Sequence, residues 1–152
     1  MHNGNQTGGM TVIVRTVTRL TVGLILLFGI YLVLHGHISP GGGFSGGVVI
    51  ALAFVHLVLA FGRRGTATGL SESAAGRIES IGALAFLVLG LFGLMAGYFL
   101  LNFLHKGEPF TVASAGFIPL CNIAICLKVG AGLFAVFLAL VLMRSEPEED
   151  PS

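Results

Sequence analysis

The chain has 152 residues, of which 55% are hydrophobic and 10% charged, with a mean hydropathy of +0.94 and a formal net charge of +1. Soluble domains carry about 25% charged residues, so the composition describes an integral membrane protein of one domain's length, and the four apolar runs below make it all-α. The near-neutral charge, with no basic patch interleaved with aromatics, excludes nucleic acid as a partner.

In chain order, residues 1–10 are polar and Gly-rich and read as a disordered lead-in rather than a secretory leader, because the run that follows is long enough to stay in the membrane. Arg15 and Arg19 stand four apart on one face of a starting helix, and the first span is expected over 16–34. A second span is expected over 44–61, where Gly43, Gly47 and Ala51 recur every fourth residue. That small-residue edge lets another helix backbone approach closely.

A polar connection over 65–77 precedes a third span over 78–104, with Gly93 and Gly97 at the same close-packing spacing. A second connection, 105–117, leads to a fourth span over 118–143. The tail, 145–152, is acidic and proline-bearing and reads as disordered. The domain thus runs from 11 to 144. Arginines 15, 19, 63, 64, 77 and 144 all fall on the side of the two termini, which puts both termini in the cytoplasm by the positive-inside rule.

Between the first two spans lies HGHISPGGGFSGG, residues 35–47, which cannot continue a helix. Glycine costs about 1 kcal/mol and interior proline about 3 kcal/mol there. Near lipid, such a backbone break is tolerated only at the interface, against protein or beside a wet cavity. His35 and His37 bracket Gly36 but find no further ligands nearby, so a metal is not expected. The imidazoles are read as partners for carbonyls freed by the break.

Lys128 lies about 15 Å into the fourth span, where an ionisable group is a functional hypothesis by default. It is a proton or ion carrier, or else half of an ion pair with a neighbouring subunit's carboxylate or a side chain that snorkels to the headgroups. His56, at similar depth in the second span, is a proton relay or a packing residue. Glu79 opens the third span beside Arg77, as an interfacial anchor paired to that arginine or as the lining of an ion entry. Cys121 and Cys126 have neither metal-ligand nor disulfide spacing and read as small apolar filler. No nucleophile elbow or phosphate loop appears. Neither an enzyme nor a cofactor is expected.

The block RTVTRL followed by GIYLVLHGHISPGGGFSGGVVIALAF resembles the MnhB/MrpB family, the small B subunit of multisubunit cation/proton antiporters. The same subunit type recurs in energy-converting membrane-bound hydrogenase complexes and their sulfur-reducing relatives. The hallmark is carried by His35, Gly36, His37, Pro40, Gly41, Gly42, Gly43, Phe44, Gly46 and Gly47, and the resemblance covers residues 12–143. It implies a four-helix subunit in the cell membrane, assembled with larger membrane subunits that move Na+ and H+. In the stand-alone antiporter subunits the fourth span opens with an aspartate, in a segment like TIFDLGVYLVVVG. Here the segment is IPLCNIAICLKVGAGL, with Asn122 near the acidic position and Lys128 deeper. Both a stand-alone antiporter and a redox-driven complex stay open, as does a purely structural docking role.

Overall fold

A computed structural model describes residues 12–38, 40–62, 71–95, 97–101 and 115–144. They form four α-helices: α1 Val12–Leu34, α2 Gly42–Phe61, α3 Glu72–Met95 and α4 Ile118–Arg144. All four are long and apolar enough to cross a membrane. In lipid a spanning segment must satisfy its own backbone, and the hydroxyls embedded here do the same. Thr16, Thr21 and Ser80 donate to the carbonyls of Val12, Val17 and Gly76 at 3.0, 2.9 and 2.9 Å. The expected lead-in, the acidic tail and most of both polar connections lie outside the described residues.

The third span differs from its expectation at both ends. Ser71 caps α3, its hydroxyl accepting from Ala74 N–H at 3.2 Å, so the polar residues after it are the first turns of the helix. At the far end the helix stops at Met95 although the apolar run continues. Residues 97–101 turn back onto it: Leu100 N–H reaches Gly90 O at 3.4 Å, and a Cβ on Gly90 would meet the Phe99 ring. An apolar stretch lying against its own helix is as hydrophobic as one that extends it.

The helices are not packed all against all. α1 packs on α2, α2 on α4 and α4 on α3, with a lighter contact between α1 and α4. Among the described residues α3 approaches no other helix backbone. At the terminal side Phe134 of α4 joins Val58 and Ala75, and its ring lies 5.7 Å from that of Phe54. Arg15 and Arg19, on one face as their spacing predicts, both lie over the Phe61 ring, at 5.9 and 5.3 Å. At most 33% of the most apolar window of any span is buried within the chain. Most of the lateral surface therefore faces something else.

Candidate functional site

The glycine-rich turn is clamped onto α4 by Asn122. Gly41 and Gly42 take φ of +109° and +51°, which side chains with a Cβ rarely adopt, and this swings the chain out of the turn into α2. Gly43 has ordinary helical geometry but no room, since a Cβ there would strike the backbone of Asn122. Its N–H donates to Asn122 Oδ1 at 3.3 Å. Gly36 closes the clamp from the other side, a Cβ there lying 2.6 Å from Asn122 Nδ2 and against the Gly42 backbone. Asn122 is only 8% exposed as a result. Its place under the turn carries no signal in the sequence, because an asparagine near the start of a span has many possible partners.

The histidines behave as helix-end groups. His35 Nδ1 lies 3.1 Å from Tyr31 O, which the His35 backbone N–H also bonds at 3.0 Å, and the Tyr31 and His35 rings stack at 4.3 Å. His37 is half-buried in the same turn, while Pro40 and Phe44 are exposed. No group of three or more potential metal ligands exists among the described residues.

Beyond the turn, small residues set the helix crossings. Gly46 faces α1, with Val33 and Gly29 O in the space a Cβ would need. Gly47 faces α4, where a Cβ would lie 2.9 Å from Cys126 O, and Gly130 returns the approach at 3.3 Å from Gly47 O. Ala51 continues the same edge at 2% exposure, so the edge that the second span presents in sequence is its contact with α4. Gly93 and Gly97 are different. Gly93 is filled by the returning backbone of Leu100 and Leu101, and Gly97 lies outside α3 at φ +134°. Neither forms an edge between two helices here, because the chain reverses where the spacing assumed a continuing helix.

The α3–α4 contact creates a charged pair. A Cβ on Gly82 would lie 2.7 Å from Lys128 N and 2.8 Å from Ala124 O, so the two backbones nearly touch at this level. Glu79, one turn before Gly82, then meets the Lys128 side chain, with Nζ 3.8 Å from Oε1. One turn beyond Lys128, a Cβ on Gly132 would lie 3.3–3.5 Å from the Glu79 carboxyl group, so the missing side chain leaves it a seat. Glu79 stands two turns into α3, which begins at Glu72. Arg77 is not its partner: the Arg77 Nε donates to Ser73 O at 3.3 Å. Lys128 finds its carboxylate in its own chain. Its side chain is 52% exposed and that of Glu79 41%, so the pair lies on the flank of the subunit.

His56 is not brought to this pair. Phe54 and Val58 sit on the α4-facing side of α2, and a residue two positions from each points about 160–200° away. Lys128 stands in the same relation to Cys126 and Gly130 on α4, both of which face Gly47. The two groups thus lie on opposite sides of the α2–α4 contact. Gly82, Gly130 and Gly132 were not singled out by spacing, because each works against a residue remote in sequence.

The profile described as "Domain related to MnhB subunit of Na+/H+ antiporter" matches residues 13–135. An uncharacterised protein of Methanocaldococcus jannaschii is 43% identical over 72% of this chain and 44% of its own length. A protein of Staphylococcus saprophyticus named "Putative antiporter subunit mnhB2" is 52% identical over 33% of this chain and 36% of its own. The chain thus spans less than half the length of these relatives. Among solved structures, a chain of the membrane-bound sulfane sulfur reductase, an archaeal respiratory membrane complex, is similar at a TM-score of 0.70 and 33% identity. That match covers 87% of this chain and 58% of the other.

Proposed function

Because the chain belongs to the family of domains related to the MnhB subunit of Na+/H+ antiporters, we propose that it is a membrane subunit of a multisubunit monovalent cation (Na+)/proton antiporter complex. It docks among larger membrane subunits and contributes its α3–α4 flank to the ion path. The observation that carries this reading is the Glu79–Lys128 pair, about half exposed yet well inside two helices of spanning length. A charge near the middle of a bilayer costs about 3 kcal/mol, so such a flank is covered by protein or opens on water that protein encloses. His56, on the opposite side, is a second candidate for contact with an ion path.

A second reading is supported by the respiratory complex. The similarity to its chain extends over 87% of this one at 33% identity. On that reading the chain serves the sodium- or proton-translocating part of a redox-driven complex and has a docking role, with redox chemistry in partner subunits. Neither reading makes the chain itself an enzyme. Both place it in the cell membrane with its termini in the cytoplasm, as the arginine distribution implies.

Purification of the tagged chain from its native membrane, with identification of what accompanies it, separates the two. Large antiporter-like subunits alone are expected for the first reading, together with Na+-driven proton exchange in vesicles. Redox subunits beside them are expected for the second. Recovery of the chain only as a monomer would overturn both.

A further inference from the structure

Glu79 is the one carboxylate within a span among the described residues, Glu72 being the first residue of α3. Its surroundings fix it from two sides. Gly82 presses the α3 backbone against Lys128 N, and Gly132 leaves the carboxyl group its seat on α4. The cation opposite is held less firmly. A charge-assisted N–H···O bond closes to about 2.7–2.9 Å, whereas Lys128 Nζ stands 3.8 Å from Oε1 at the end of a flexible four-carbon stem. The carboxylate therefore feels the ammonium without being locked to it, and the Glu79 side chain is half-exposed on the flank.

We propose that the Glu79 carboxylate is a monovalent-cation site in which the Lys128 ammonium is a tethered competitor, displaced when Na+ arrives. Oxygen ligands suit a hard cation, and a carboxylate beside a mobile ammonium binds one of the two cations at a time. Arrival of Na+ at Glu79 frees the Lys128 charge, and departure of Na+ lets the ammonium return. Gly132 is a positioning residue, keeping the space in which the carboxylate waits. The proposal deepens the antiporter reading and rests on it for the identity of the ion.

The test uses the whole solubilised complex and N,N′-dicyclohexylcarbodiimide, which labels membrane carboxyl groups, with the modified subunit read by mass spectrometry. Label at Glu79 is expected to be suppressed by Na+ and not by choline, and to be absent in Glu79→Gln. In Lys128→Met, half-protection should need about tenfold less Na+ or lower still, because one competing charge is gone. In Lys128→Arg protection should still occur, at higher Na+, since arginine binds a carboxylate through two donors. Gly132→Leu should weaken protection by pushing the carboxylate aside.

No Na+-sensitive label at Glu79 in the unmodified complex would overturn the proposal. So would an assembled Lys128→Met or Lys128→Arg complex with unchanged protection. Labelling is read without transport, so the two ideas fail separately. Na+-protected Glu79 in a complex that exchanges no protons would sink the antiporter reading and keep the site. Exchange with a Na+-indifferent Glu79 would do the reverse.

Discussion

Valine at Gly41 or Gly42 would be forced to a positive φ, and valine at Gly43 would drive a branched side chain into the Asn122 backbone. All three are expected to lose most of the assembled complex, while alanine at Gly41 should cost about 1 kcal/mol or more. His35→Ala, which loses one bond to Tyr31 O and a ring stack, should be milder. Native gel electrophoresis of membrane extracts measures the difference. Asn122→Ala should release the Gly43 N–H at a cost of about 1 kcal/mol, read as a lower melting temperature of the purified complex, and an unchanged value would show that the clamp holds nothing. The turn was legible from its glycines, and the place of Lys128 along α4 from counting along its span. The partner of Lys128 was not. The pairing depends on the α3–α4 crossing at Gly82, which no spacing within either helix reveals. Gly132 had no chance of being seen, since its role is defined by a side chain on another helix.

Among the elements, the crossings at Gly47 and Gly82 are the ones that a side chain would pry apart. Leucine at either should separate α2 from α4 or α3 from α4, with loss of complex and faster proteolysis in membranes as the measurement. Spacing alone predicts the same for Gly97→Leu. The structure predicts a different injury there: a Cβ would find its nearest atom at 3.8 Å, so the cost comes from the φ of +134° and falls on the turn after α3. Gly97→Leu should therefore leave the α3–α4 contact intact, which unchanged resistance to proteolysis in membranes would report. Hydropathy located all four helices because spanning segments must be apolar. It misjudged the end of α3 because 98–101 are equally apolar while lying back along the helix.

At the scale of the whole molecule, labelling tests the orientation. Cysteines introduced near either terminus should react with an impermeant reagent only from the cytoplasmic side, and reaction from outside would reverse the topology. The open arrangement of the helices also bears on how the chain is made. Synthesis delivers α3 to the membrane before α4, yet among the described residues α4 is the one helix whose backbone α3 approaches. Until α4 follows, Glu79 has neither its lysine nor its glycine seat, and a lone carboxylate is costly in hydrocarbon. The nascent α3 must then wait beside the insertion machinery. Biogenesis of the subunit is thus tied to the arrival of its last helix, and a stop placed just before α4 should strand a product that the cell's membrane proteases remove.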